Sequence, residues 1–309
     1  MPWTMFECPD GFEIKIEECI EKCRMDGRCV SKPTLIVMAR GRRRWTGKIS
    51  ATQGLNGTRL EYLKIKHEYA ESPVSRAFAL LGTFHHLKLQ QAEIGNALAE
   101  ERLEDEFGFG TFDYYEAEER ALYSFKTAGS YKVNRALGKK KVTKDVETGE
   151  VYKSGARKGQ PKTRKESTWS MTEPDVFEWQ MQDSRYAWML SGMGFPVEKI
   201  YVQVTVRDFT AQTARQYGLD RQIYVIPIDV FPKDVVEEFY RTKQAELSGY
   251  LSLGMIPPPC DPRERWAEED VNDLETPGRR CSGYCPVWSY CDLGIKAHEK
   301  TETEEEGAA

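Results

Sequence analysis

FGFGTFDYYEAEERALYSFKT, residues 107–127, is the stretch whose reading decides the fold. Two aromatic-rich runs, 107–115 and 120–127, flank the short acidic link Glu116–Glu119, and this pattern predicts a β-hairpin. Gly110-Thr-Phe-Asp113 stands at the end of the first strand and Ser124-Phe-Lys126 on the second. Side chains alternate across a strand, so Ser124 and Lys126 share a face that the hairpin can bring beside Asp113. A carboxylate next to a lysine on paired strands suits phosphodiester hydrolysis. The carboxylate can hold Mg²⁺ or Mn²⁺, which activates water and neutralises charge on the phosphate. The lysine can orient that water or stabilise the transition state as a point charge.

Outward from the hairpin, the pattern is helical from Ser50 to about Arg102. Leu60, Leu63, Ile65 and Tyr69 recur at helical spacing, and a second helix is expected to begin near Pro73. Downstream, TEPDVFEWQMQDSRYAWML (172–190) reads as a helix, with Thr172 and Asp175 as capping residues and Pro174 in its first turn. Strands are expected at 199–208 and 221–230, and a further helix from Pro232 to about Leu251. The class is therefore α/β.

Four short motifs stand in order on these elements. They are Gly82-Thr83-Phe84-His85-His86, the G-x-x-D at 110–113, the strand ending Phe125-Lys126-Thr127, and Gln182-x-x-x-Tyr186. Together they resemble the PD-(D/E)xK nucleases of the RecB-like branch, which includes the CRISPR-associated four-cysteine exonucleases. The resemblance spans about 78–190, and near 292 if the cysteines are included. It implies a restriction-endonuclease-like core, a mixed sheet flanked by helices, with a cysteine metal-cluster module joining the N- and C-terminal segments. It also implies a metal-dependent deoxyribonuclease, an exonuclease on single-stranded DNA ends. Asp113 and His86 would then bind Mg²⁺ or Mn²⁺, Lys126 would act on the water and transition state, and Gln182 and Tyr186 would position the strand.

One position departs from the family pattern. Ser124 stands where the family carries a metal-binding Asp or Glu, and serine is a poor ligand for Mg²⁺. Three readings follow. A carboxylate has migrated in, from Glu116, Glu101 or Glu104. The site runs on one metal held by His86 and Asp113. Or the fold is catalytically inactive and serves as a nucleic-acid-binding or scaffold protein. The plain alternative to all three is an ordinary hairpin with a surface Asp113–Lys126 pair, beside a helix that buries Trp179 and Met189 and leaves Gln182 and Tyr186 at its polar edge.

The chain has eight cysteines, which without a secretory signal argue for metal ligation over a disulfide framework. Cys281, Cys285 and Cys291 are spaced C-x3-C-x5-C, and Cys19, Cys23 and Cys29 repeat that spacing. In the resembled family the fourth ligand of a 4Fe–4S cluster precedes the core, but the corresponding stretch 50–63 has no cysteine. Either one cluster borrows a leader cysteine, or there are two four-cysteine sites, with Cys8 and Cys260 preceding the triplets. Thiolates serve iron–sulfur and Zn²⁺ alike.

The net charge of −5 hides a basic segment at 132–168, in which twelve lysines and arginines face only Asp145, Glu147, Glu150 and Glu166. We read it as a mobile insertion with one hairpin at VETGEVY. It can guide a DNA strand through Lys139, Lys140 and Lys141 and stack bases on Tyr131, Tyr152 or Trp169. A solvated linker is the alternative. The expected organisation is a leader (1–48), the core (49–255), a cysteine module (256–295) and a disordered acidic tail (296–309). The N-terminus lacks a basic, apolar signal and no run reaches membrane-spanning length, so a cytoplasmic protein without a membrane partner is expected. No phosphate-loop motif occurs, so a helicase or recombination or defence partner would be a separate chain.

Overall fold

The computed structural model describes residues 3–92, 97–155, 157–268 and 271–306. The leader contains β1 (Met5–Glu7), β2 (Glu13–Lys15), α1 (Ile16–Glu21) and α2 (Lys32–Arg40). There follow α3 (Ala51–Gly54), α4 (Thr58–Lys66), β3 (Ala70–Glu71), α5 (Pro73–Gln90), β4 (Ala97–Ala99), β5 (Arg102–Glu104) and β6 (Phe109–Thr111). The middle of the chain forms β7 (Tyr114–Glu116), β8 (Ala121–Ala128), α6 (Ser130–Ala136), β9 (Lys139–Val151), β10 (Pro161–Met171) and α7 (Phe177–Gly192). The remainder is β11 (Lys199–Val206), α8 (Ala211–Tyr217), β12 (Ile223–Ile228), α9 (Lys233–Leu253), α10 (Arg279–Gly283) and α11 (Asp292–Glu306). No helix among the described residues is long and apolar enough to cross a membrane.

The architecture is mixed α/β. A five-stranded sheet has the order β12-β11-β8-β7-β4, with β8 and β11 parallel and the other pairs antiparallel. β11 shows why: Ile200, Val202, Val204 and Val206 are buried and alternate with more exposed residues, as a half-buried strand of β-branched residues should. Pro227 lacks an N–H, which suits β12 to the sheet edge. A parallel pair needs a long crossover, and here α6, the β9–β10 hairpin and α7 supply it. α7 then buries Trp179, Met181, Tyr186, Ala187 and Leu190 in a core shared with Val236, Tyr240 and Leu247 of α9.

The expected 107–127 hairpin forms in part: β7 pairs with β8, with Tyr114 opposite Tyr123 and Glu116 opposite Ala121, whereas β6, expected to continue the same strand, pairs with β5 in a separate two-stranded sheet. Other expectations are revised. Helical structure from the Pro73 segment ends at Gln90, and the described residues before Arg102 include a strand, β4, where helix was expected. The α7 N-cap is Val176 with no side-chain cap bond. Thr172 closes the base of the basic hairpin on the Gly138 carbonyl, and Asp175 pairs with Arg135 and Arg263, so both are drawn away from the helix start. The basic segment is not an irregular insertion. β9 and β10 pair antiparallel over most of their length, and VETGE lies inside β9. Gly149, at φ 75°, forms an irregularity there and not a turn, and the chain reverses at 152–160. The acidic segment expected to lack structure continues α11 as far as Glu306, helped by Trp288 stacked on His298 at 3.8 Å. The last three residues lie outside the described ones.

One buried charge ties α7 to the approach to the hairpin. Arg185 is 2% exposed; its Nη2 lies 2.7 Å from Asp105 Oδ1, and its guanidinium lies 4.2 Å from the Tyr240 ring centre. Asp105 also accepts from the amides of Phe107 and Gly108 at 2.8 and 3.0 Å, which shapes the turn into β6. Removing one partner of a buried pair leaves an uncompensated charge, so Asp105→Ala is expected to cost about 3 kcal/mol. The isosteric Asp105→Asn, which can keep the turn bonds, should cost less. Urea unfolding midpoints of the two variants check this, and equal, sub-kilocalorie losses would contradict it.

Candidate active site

The centre is assembled where α5 and α7 meet the β7–β8 hairpin. Asp113 lies between β6 and β7, and its Oδ2 accepts the Phe125 amide at 2.6 Å and the Ser124 hydroxyl at 3.3 Å. Those two bonds anchor one carboxylate oxygen to the neighbouring strand and leave Oδ1 to face His86. His86 Nδ1 lies 3.2 Å from Asp113 Oδ1 and 3.3 Å from Glu100 Oε1. His86 reaches the sheet from α5, whose apolar residues Val74, Phe78, Leu81, Phe84 and Leu87 are exposed.

Lys126 Nζ is 4.0 Å from Asp113 Oδ2 and donates to Gln182 Oε1 at 3.4 Å. Gln182 Nε2 in turn donates to the Tyr186 hydroxyl at 3.2 Å and to Thr52 Oγ1 at 3.4 Å. The i, i+4 spacing on α7 puts Gln182 and Tyr186 on one face. Gly110 is required by the same arrangement. A Cβ there would stand 2.4 Å from Tyr186 Cε1, so the glycine of the G-x-x-D motif makes room for the tyrosine of the Q-x-x-x-Y motif.

Charge within the site is uneven. Burial alone would raise the Asp113 carboxyl, but the hydrogen bond from His86 and the charge of Lys126 outweigh it and hold the group below its ordinary value. His86 is raised, first by its bond to Asp113. Glu100 is raised by burial and then by the Asp113 charge. Asp183 on α7 is fully buried, and burial pushes its carboxyl up to about 6, with Asp113 adding to the rise and Lys126 opposing it. Neither Asp183 oxygen has a well-formed hydrogen bond among the described residues. The Ser124 hydroxyl points to Asp113 and only weakly offsets the burial of Asp183. Ser124 is thus flanked by two carboxylates where one is expected at its own position.

One ligand atom each from His86, Glu100 and Asp113 lie within 4.8 Å of one another. One imidazole nitrogen and two carboxylate oxygens form a donor set that suits a hard or borderline divalent ion such as Mg²⁺ or Mn²⁺. The sequence reading missed Glu100 and Asp183. Glu116 bonds the Tyr114 hydroxyl at 2.6 Å, Glu104 pairs with Lys48 and Arg102, and Glu101 is exposed, so none of these three joins the group. Glu100 enters because β4 pairs with β7 and sets Ala99 opposite Tyr114, and because its own backbone turns to φ 53° and donates to the Asp113 carbonyl at 3.1 Å. A left-handed glutamate is strained and has no sequence signature. Asp183 was legible only as the neighbour of Gln182.

The cysteines gather in two groups. Cys260, Cys281, Cys285 and Cys291 line one small apolar pocket with Arg59, Leu60, Leu63 and Leu293. A Cβ on Gly57 would stand 2.3 Å from the Cys260 sulfur, so the fourth cysteine meets the cysteine-free 50–63 stretch from the far end of the chain. Arg59 reaches Cys291 Sγ at 3.7 Å. In the leader, Cys8, Cys23 and Cys29 each act electrostatically on Cys19, though no three of the four sulfurs lie within 4.8 Å of one another. Tyr131, Lys139, Lys140 and Lys141 line a groove at the base of the basic hairpin with Trp169 and Tyr217.

No family model matches the chain, and no curated protein matches it. A solved structure described as "Crystal structure of SSO0001" is similar over 87% of this chain and 99% of that chain, at 14% identity and a TM-score of 0.44. That degree of likeness carries no argument.

The geometry sets Glu100, and not Glu116, beside His86 and Asp113. Titration with Mn²⁺, read by calorimetry or by the fall in free-ion electron paramagnetic resonance, should weaken at least about tenfold in Glu100→Ala, on the scale of a lost charged contact. Glu116→Ala should bind as the unmodified chain does. The reverse order would remove Glu100 from the centre.

Proposed function

We propose that this chain is a Mg²⁺- or Mn²⁺-dependent deoxyribonuclease on a PD-(D/E)xK-type core, acting on single-stranded DNA ends. The observation that carries the reading is the convergence of His86, Glu100 and Asp113 with Lys126 on one side of a mixed sheet. His86, Glu100 and Asp113 would hold the ion, which when bound supplies Lewis acidity and an activated water.

The chain's own groups do the rest. Lys126 stands between the Asp113 carboxylate and Gln182, where its ammonium can meet a phosphate oxygen or fix the attacking water. Gln182 holds that lysine and is itself held by Tyr186 and Thr52, so the lysine's position is set by a chain of hydrogen bonds. Strand guidance falls to the basic hairpin. Tyr131 and Trp169 are 48% and 37% exposed beside Lys139 and Lys141, a combination that tracks phosphates and stacks bases without reading sequence.

Ser124 favours a second reading, in which the same fold binds nucleic acid without cleaving it. The balance rests on Glu100, which restores a second carboxylate to the group. Any helicase or recombination or defence partner belongs to the same proposal as a separate chain. The Cys260, Cys281, Cys285 and Cys291 pocket would hold a 4Fe–4S cluster as a staple between α4 and the C-terminal segment, or Zn²⁺ after the sulfurs close up, since no three of them lie within 4.8 Å of one another.

Incubation with end-labelled single-stranded DNA and Mn²⁺ tests the activity. The unmodified chain should degrade it, and Lys126→Ala and Glu100→Ala should each slow cleavage by roughly 10²–10³-fold, as loss of one charge-stabilising group does. Tight DNA binding with no cleavage, together with cleavage gained in Ser124→Asp, would establish the second reading. Separately, Cys260→Ser should lose the metal of the C-terminal pocket and its visible absorption if iron is held there, and retention of that metal in full would remove Cys260 from it.

A further inference from the structure

The leader is built around four thiols that the nuclease reading does not use. β1 and β2 form an antiparallel hairpin that places Cys8 at its turn, with the Cys8 amide bonded to the Phe12 carbonyl at 2.8 Å and the Gly11 amide to the Cys8 carbonyl at 2.9 Å. α1 follows β2 directly, and its Ile16 amide bonds the Thr4 carbonyl at 3.1 Å, which seats the helix on the hairpin. Cys19 on α1 and Cys8 are both buried, whereas Cys23 is half-buried and Cys29 exposed. Cys8, Cys23 and Cys29 all lie close enough to act electrostatically on the Cys19 sulfur.

The loop from Cys23 to Ser31 carries no backbone amide bond of its own among the described residues. It is held instead by Arg28, whose guanidinium donates to the carbonyls of Cys19 and Ile20 at 2.7 and 3.1 Å, and by a contact from Cys23 Sγ to the Gly27 carbonyl at 3.8 Å. Arg28 thereby ties the loop residue next to Cys29 to the end of α1, at the Cys19 carbonyl. Arg24 stacks on Phe12 at 4.4 Å and pairs with Asp10, within reach of Cys8. Two guanidinium groups next to four thiols offset the charge that four thiolates would place there. A disulfide pairing is not formed: all four cysteines are free.

We propose that Cys8, Cys19, Cys23 and Cys29 form a second thiolate metal centre, separate from the C-terminal pocket, that fastens the loop, which has no backbone amide bonds of its own, to the β1–β2 hairpin and α1. The hairpin-turn cysteine, the C-x3-C pair at the end of a helix and a returning fourth cysteine are the ligand types and spacing of a structural zinc site. No three of these sulfurs stand within 4.8 Å of one another, so a single ion would draw the loop cysteines inward, which a loop without backbone bonds permits. An iron–sulfur cluster uses the same ligands at wider spacing.

Metal content of the purified full-length chain, by plasma mass spectrometry with assay of acid-labile sulfide, tests the centre. The readout is independent of DNA cleavage. Cys23→Ser and Cys29→Ser should each lose about one equivalent of zinc, as four-ligand sites do when one ligand goes. Cys281→Ser should keep that equivalent. Loss of iron and sulfide in place of zinc would retain the site and identify its metal as a cluster. Unchanged metal in both leader variants would overturn the proposal. Should the variants fold poorly, the unmodified chain decides: leader thiols shielded from alkylation until a chelator is added support the centre, and immediate alkylation in the native chain refutes it.

Discussion

Burial of α7 sets the terms for everything around the candidate centre. Asp183, Ser184 and Arg185 are consecutive and lie 0%, 0% and 2% exposed, so three polar groups must find partners away from water. Ser184 accepts the Phe231 amide at 2.9 Å, and Arg185 pairs with Asp105. Asp183 finds no well-formed bond and stays as a buried carboxyl beside Ser124. Because α7 is committed to this position, Gln182 and Tyr186 one turn apart are delivered to Lys126 and Gly110.

The hairpin is equally constrained. Its defining bond is the Phe125 amide to Asp113 Oδ2 at 2.6 Å, which spends one carboxylate oxygen on structure and turns the other to His86. A serine at 124 can add a bond to the same oxygen where a carboxylate would repel it. The acid missing from the strand reappears on both sides, as Glu100 at the end of β4 and as Asp183 on α7. Packing one more carboxylate into this small volume would raise its pKa further, since Glu100 and Asp183 are already raised by burial and by Asp113.

The two cysteine groups lie toward opposite ends of the chain. The C-terminal group closes on α4 through Gly57 and Arg59, and the leader group closes on the β1–β2 hairpin. The surroundings differ: the Cys23–Ser31 loop has no backbone amide bond of its own among the described residues, whereas the C-terminal segment is bonded through Arg265, Arg280, Cys281, Tyr284 and Cys291 and carries α10 and α11. The basic β9–β10 hairpin differs. Its strands pair along their length, and Lys139 is tied to the Gly218 carbonyl at 2.6 Å, so its base is fixed to α8 beside the groove of Tyr131 and Trp169.

By itself the sequence determined the α/β class, the turn of the 107–127 hairpin, the helix beginning at Pro73, and the pairing of Ser124 with Lys126 on one strand face and of Gln182 with Tyr186 on one helix face. Those features are local: alternation, helical period and turn residues act over a few positions and need no knowledge of what packs where. Only the tertiary structure decided that Glu100 and not Glu116 joins His86 and Asp113, because that depends on the β4–β7 register and a left-handed backbone. It likewise decided that Cys260 lines one pocket with Cys281, Cys285 and Cys291. It decided, too, that the lysine-rich segment is a long paired hairpin. In each of these cases the partners are far apart in sequence, and proximity through the fold leaves no periodic trace along the chain.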